Sequence, residues 1–330
     1  MGLIADISEA ITDALTDWMK DLLVPAVQEQ IEGIFDSTNL QIADISTQVG
    51  KTNINVYTGG EGSATIVFLA GSGIGCPGLE YKPLYRRLSD KYRIAVIEKA
   101  GYGLSGKAET ERTVVNLAEE SRSALTNLHI EQPYILAPHS YSGFEAIWWA
   151  NTYPEEVKAV LGIDMGFPNM MRAQSEEIPH EKKKAMVEKS RTLMKKIARR
   201  GLLDKLTRNK TVNASGLLTG GELTEEEKKI YEEVYYNNIT SEAVFEESLL
   251  AEQNARDAEA TGYLRCPACF VVSNMKSPVK SLTWQQAAMD YAKQCHGEIH
   301  LLNEGHFMYA KIPDEIVGIF KTFLQKNGLK

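Results

Sequence analysis

Apolar and polar positions change their period along the chain, and the changes divide it. Between residues 3 and 24, Leu3, Ile4, Ile7, Ile11, Ala14, Leu15, Trp18 and Leu22 recur at helical spacing, and Pro25 stops the run. This predicts an amphipathic helix. A second helical pattern follows through Val27, Ile31, Ile34 and Phe35. From about residue 50 short apolar runs take over. Residues 54–57 and 65–69 read as strands around the Gly59–Gly62 turn. Strands at 92–97, 133–138 and 157–163 then alternate with helical patterns at 111–127 and 142–152. Such alternation predicts a parallel sheet covered on both faces. It stops at Pro168, resumes as strands at 269–273 and 298–302, and ends in a helix at 314–326. The expected organisation is an N-terminal helical extension (1–48), an α/β core (49–167 and 262–330) and a helical insertion (168–261).

The insertion is polar and unevenly charged. Residues 181–200 hold nine Lys or Arg against two Glu, and residues 222–259 hold twelve acids against three bases. Opposed blocks predict helices that face each other, with Met186, Leu193, Met194, Ile197 and Leu202 as a buried stripe. Over all 330 residues there are 36 basic and 44 acidic side chains, a net charge of -8. That balance argues against a nucleic-acid partner, which needs a basic footprint. No apolar run reaches the length of a spanning helix, and no signal-peptide pattern is evident. Membrane contact through the first helix is the weaker reading. Its polar face carries Asp6, Glu9, Asp13, Asp17 and Asp21, where surface-bound helices carry Lys and Arg. Homo-oligomer formation is left open. Four cysteines suit a reducing cytoplasm. Cys266 and Cys269 have the C-x-x-C spacing but run straight into an apolar strand, so they are read as buried, with no metal or cofactor expected.

Chemistry concentrates at Ala137-Pro138-His139-Ser140-Tyr141-Ser142-Gly143, between a strand and a helix. A serine on such a sharp turn is lifted clear of the sheet, with amides converging beside it. Glycines usually stand two before and two after the serine. Pro138 and Ser142 stand there instead. The loop Ala70-Gly71-Ser72-Gly73-Ile74-Gly75 follows strand 65–69 and can supply an oxyanion amide from Ser72 or Gly73, with Tyr141 giving the second. A dinucleotide turn is the rival reading of that loop, but Cys76 and Pro77 occupy the position where such a turn needs a small residue and a helix start. His306 lies in Gly305-His306-Phe307, after the last predicted strand, where a loop histidine can reach the serine.

With the motifs L-A-G-S-G, E-K-A-G-Y-G-L-S at 98–105, P-H-S-Y-S-G and G-H-F, residues from about 50 to 325 resemble the α/β-hydrolase superfamily. The resemblance implies a mostly parallel eight-stranded sheet, a helical lid inserted after strand six, and a triad in the order Ser, acid, His. The superfamily usually places its acid after strand seven, but residues 273–281 contain no carboxylate. Asp164, after strand six, matches the place used by certain haloalkane dehalogenases; Ser140 in the nucleophile position excludes their reaction. The expected activity is cofactor-independent hydrolysis of a small or medium ester or thioester by Ser140, His306 and Asp164. A proline iminopeptidase-like aminopeptidase using Glu246, Glu247 or Glu252 to hold the substrate amine is the alternative, and a non-catalytic binding protein is the alternative of another class.

Overall fold

The computed structural model describes residues 43–199, 213–238 and 240–329. The predicted helix at 3–24, the pattern that follows it, and Leu202 lie outside them. Eight strands form one sheet: β1 (Ala43–Val49), β2 (Thr52–Gly59), β3 (Thr65–Leu69), β4 (Arg93–Glu98), β5 (Tyr134–Pro138), β6 (Val157–Ile163), β7 (Ala268–Val272) and β8 (Glu298–Leu301). Their spatial order is β1-β2-β4-β3-β5-β6-β7-β8. β2 runs antiparallel to β1 and β4, and every other pair is parallel. The extension expected to be helical to residue 48 is therefore corrected at its end: residues 43–49 are the edge strand. Its sequence, Ala-Asp-Ile-Ser-Thr-Gln-Val, is half polar because an edge strand with a wet face needs no continuous apolar run.

Two short helices, α1 (Pro77–Glu80) and α2 (Lys82–Tyr85), follow β3. Then come α3 (Val114–Asn127), α4 (Ser142–Thr152), α5 (Pro168–Glu177), α6 (His180–Arg199), α7 (Glu225–Asn238), α8 (Glu242–Leu249), α9 (Ala251–Ala260), α10 (Trp284–Cys295) and α11 (Pro313–Lys326). Alternate residues of the central strands serve opposite faces. Ile66, Phe68, Ile94 and Val96 pack with Ile316, Phe320 and Leu324 of α11. Val67, Leu69, Ala95 and Ile97 pack with Ala118, Ile147 and Trp149 of α3 and α4. Both faces are dry, which is why these strands read as unbroken apolar runs. The sequence pattern did not reveal α10. Thr283 caps it, its hydroxyl accepting from the Gln286 amide.

Helices α5–α9 fill the segment between β6 and β7. Among the described residues the opposed charge blocks meet at two acids: Glu242 with Arg191 and Lys195, and Glu252 with Lys183 and the adjoining His180. The predicted buried stripe on α6 is corrected: Met186 and Leu193 are 58% and 52% exposed. Helical period fixes which residues share a face, not whether anything covers it. α7 and α8 cross the loops after β3 and β4. A Cβ on Gly75 would lie 2.9 Å from the Tyr235 backbone, and one on Gly101 would lie 2.7 Å from Ala243. Among the described residues no helix is long and apolar enough to cross a membrane.

Candidate active site

β5 ends at Pro138 and α4 begins at Ser142, so the chain turns within three residues. Ser140 absorbs the turn with φ +53°. A left-handed conformation costs a non-glycine residue about 1–2 kcal/mol and persists only where its surroundings enforce it. Here the Gly143 amide bonds the Ser140 carbonyl at 3.0 Å, and the Gly166 amide bonds it at 2.6 Å. Ser142, in place of the usual glycine, is fully buried. Its hydroxyl lies 2.7 Å from the Leu69 carbonyl and accepts from the His139 amide at 3.0 Å. The extra side chain thus ties the elbow to β3. One residue further on, a close approach does exclude a side chain: a Cβ on Gly143 would sit 2.3 Å from the Gly166 carbonyl.

Ser140, His306 and Asp164 come together from three loops. His306 Nε2 lies 2.9 Å from Ser140 Oγ, and His306 Nδ1 lies 2.5 Å from Asp164 Oδ2. Asp164 is fully buried at φ +44°, directly after β6. Three further donors converge on it at 2.7 Å: the Ser273 amide and Trp284 Nε1 on Oδ1, and the Ser273 hydroxyl on Oδ2. Its orientation is fully specified by those bonds. Glu304 and Glu98 are both elsewhere. The Glu304 side chain faces Lys311, and Glu98 is buried, accepting from the Leu104 amide at 2.6 Å and Asn55 Nδ2 at 3.0 Å.

Two contributors escaped the sequence reading. Ser273 and Trp284 hold Asp164; Ser273 directly follows β7, the place where the resemblance implied a carboxylate. His139, which flanks the serine in sequence, turns to the His306 backbone rather than to the Ser140 hydroxyl. It is buried, its ring 4.7 Å from that of His306, and its Nε2 donates to the His306 carbonyl at 3.3 Å. Burial, with the nearby His306 ring adding to it, holds this imidazole well below the usual histidine range, so it is neutral near pH 7.

The Gly73 amide is turned to Tyr102 Oη at 3.4 Å, at φ +80°. Tyr141 lends its side chain to the insertion: its hydroxyl donates to the Glu247 carbonyl at 2.9 Å and accepts from Asn254 Nδ2 at 2.5 Å. Glu247, on α8, is itself fully buried against Lys99 Nζ at 3.1 Å and the Tyr102 hydroxyl at 2.8 Å. Glu246 accepts from the Arg112 amide at 3.1 Å, and Glu252 is paired with Lys183. All three carboxylates considered for an amine-binding role are committed within the protein. Cys76 is buried at the N-cap position of α1, without a side-chain capping bond, and Pro77 opens the helix.

The architecture is the α/β-hydrolase fold. The solved structures that resemble it include a proposed epoxide hydrolase from Pseudomonas aeruginosa, with a TM-score of 0.64 at 15% identity over 87% of this chain and 97% of that one. Likeness at that identity speaks to fold alone. Among curated proteins, the chain is 44% identical over 120 residues to the uncharacterized protein YbdG of Bacillus subtilis (strain 168), 36% of this chain and 37% of the relative. It is 29% identical over 116 residues to the 2-(acetamidomethylene)succinate hydrolase of Mesorhizobium japonicum, 35% of this chain and 40% of the relative. The matches thus span about two fifths of these relatives' lengths. No protein-family model matches.

Proposed function

We propose that the protein is a serine hydrolase that cleaves a small or medium carboxylic ester or thioester through an acyl-enzyme. The observation that carries this reading is the continuous hydrogen-bonded line from Ser140 Oγ through His306 to Asp164, at 2.9 and 2.5 Å. His306 Nε2 takes the Ser140 proton as Oγ attacks the carbonyl carbon. Asp164 holds the ring through Nδ1 and stabilises the imidazolium formed on the way. The amides of Ser72 and Tyr141 receive the developing oxyanion; Gly73's amide, directed at Tyr102, is the poorer candidate. The histidine then returns its proton to the leaving oxygen or sulfur, and water repeats the sequence on the acyl-enzyme. Every step uses side chains and backbone of this chain, with a small molecule as substrate and helices α5–α9 as its lid. The aminopeptidase reading is disfavoured because Glu246, Glu247 and Glu252 have internal partners. A pure binding role leaves the three aligned residues without a purpose.

A fluorophosphonate probe tests the proposal. One label is expected on the native protein and none on Ser140→Ala, with turnover of short acyl esters and thioesters but not of aminoacyl amides. Asp164→Asn should lose up to about 10⁴ in kcat with KM little changed, because the imidazolium exists only along the reaction path. Labelling at another serine, or an Asp164→Asn variant with near-normal kcat, rejects the assignment.

A further inference from the structure

The β7–β8 edge of the sheet gathers three side chains of metal-ligating type. Cys269 pairs in register with Glu298, and His300 follows two residues later on β8. Positions two apart on a strand share a face, and so do register partners, so all three side chains project to the same side. The Cys269 sulfur, a Glu298 carboxylate oxygen and a His300 ring nitrogen all lie within 4.8 Å of one another. Cys269 is buried beneath them, while Glu298 and His300 are half-buried at the opening. His300 Nε2 contacts Glu298 Oε1 at 2.9 Å, and Lys326 reaches Glu298 Oε2 at 3.0 Å from a side chain that is 70% exposed and free to turn aside.

We propose that Cys269, Glu298 and His300 form a binding site for a borderline-soft divalent cation of the Zn²⁺ type. One sulfur, one imidazole nitrogen and one carboxylate oxygen are the donor types such an ion takes, whereas Mg²⁺ and Ca²⁺ ask for shells of oxygen. Bonds of about 2.0–2.3 Å to a tetrahedral ion place ligand atoms about 3.3–3.8 Å apart, so the His300–Glu298 pair must open from 2.9 Å and wider pairs must close, adjustments that side-chain rotation can supply. The open side leaves the fourth position to water. Binding needs the thiolate, so the Cys269 S–H proton passes to solvent as the metal–sulfur bond forms. The site is separate from Ser140: Cys269 lies four residues before Ser273, about 13 Å along the strand. An ion there clasps the edge strand β8 to β7, just ahead of the loop that carries His306. Cys266, the other cysteine of the C-x-x-C spacing, has no part in this group.

Titration of the full chain with Co²⁺ reads the site directly. A thiolate-to-cobalt charge-transfer band should appear at one equivalent, vanish on adding Zn²⁺, and be absent from Cys269→Ser. Zn²⁺ should also displace about one proton per site in weak buffer at pH 7. Cys269→Ser alters a core position, so His300→Gln and Glu298→Gln serve as independent variants; each should weaken Zn²⁺ about tenfold or more. A wild-type protein with no charge-transfer band overturns the proposal. So does a band that survives in Cys269→Ser, which would assign the thiolate to Cys266 or Cys295, and so do unchanged affinities in both surface variants.

Discussion

Helices α7–α9 and helix α6 belong to the same insertion, yet they are held by different chemistry. The first group reaches into the core with its polar side chains. Glu227 pairs with Lys82, and the Tyr231 hydroxyl donates to Glu80. Glu247 meets Lys99, and Asn254 bonds the Val114 amide and the Arg112 carbonyl at 2.8 and 2.9 Å. Burial lifts the Glu80 carboxyl, and the hydroxyls of Tyr231 and Tyr309 oppose that rise. α6 instead carries ion pairs that face water at its outer end, such as Arg191 with Glu242, whose side chains are 36% and 57% exposed; its Lys183–Glu252 pair is more enclosed. Charge enrichment looks alike in both segments of sequence. What differs is the dielectric in which each charge ends, and that decides its worth: a severed buried pair is costly, whereas an exposed one contributes little.

The largest effect should come from Lys99. Lys99→Met takes the closest cation from the fully buried Glu247, leaving Arg112 Nε as the nearest at 3.8 Å. The expected loss is about 3–5 kcal/mol, read from urea unfolding. Lys99→Met combined with Glu247→Leu should recover much of it, since two apolar groups need no partner. A single variant that costs no more than an exposed pair would erase the distinction between the two groups of helices.

Glu145 sharpens the same contrast through pH. It lies on α4, fully buried, with Oε1 accepting from the Ser121 hydroxyl at 2.8 Å. Burial pushes its carboxyl up to about 7, against the opposing pull of Lys99. The unfolded chain releases this proton near pH 4.5, so between that value and 7 the folded protein holds the extra proton. Its stability contribution is therefore complete below the unfolded value and is lost as pH rises through about 7. Glu145→Gln should be more stable than the wild type above pH 8, by on the order of 2 kcal/mol, with the gain disappearing towards pH 4.5. Thermal unfolding from pH 4.5 to 9 checks this; a difference that does not vary with pH contradicts it.

These contrasts also mark where the sequence was legible. Strands β3 to β7 announce themselves because both their faces are dry. Edge strand β1, with Asp44, Ser46, Thr47 and Gln48, does not. Ser140 and His306 stand out because a turn or loop beside a strand is local information. Asp164 follows from the resemblance, which offers the place after strand six once no carboxylate is found at 273–281. Ser273 and Trp284, which hold it, lie 109 and 120 residues away and form no pattern with it. The same limit applies to the insertion. Its periodicity shows α6 to be amphipathic, but Glu227 and Glu247 look like solvated charges until the fold brings Lys82 and Lys99 to them.

The smallest effect is expected on α6. Arg191 contacts Glu242 at 2.7 Å and Glu188 one turn back at 3.5 Å, and Lys195 contacts Glu242 at 3.0 Å. A double-mutant cycle with Arg191→Ala and Glu242→Ala should give a coupling of about 0.2–1 kcal/mol. Two features keep it low: both side chains must be ordered from water, and Lys195 still faces Glu242 when Arg191 is gone. Raising the salt to about 1 M shortens the screening length to about 3 Å and should remove most of the coupling. The matching cycle on Lys99 and Glu247 should keep its coupling under the same salt, because ions do not enter that site. Amide exchange gives an independent view. With Met186 and Leu193 facing solvent, α6 should exchange faster than α7 and α8, whose buried faces are sealed to the core. Equal protection of α6 and α8, together with a salt-resistant Arg191–Glu242 coupling, would mean that the outer helix is held as firmly as the inner ones.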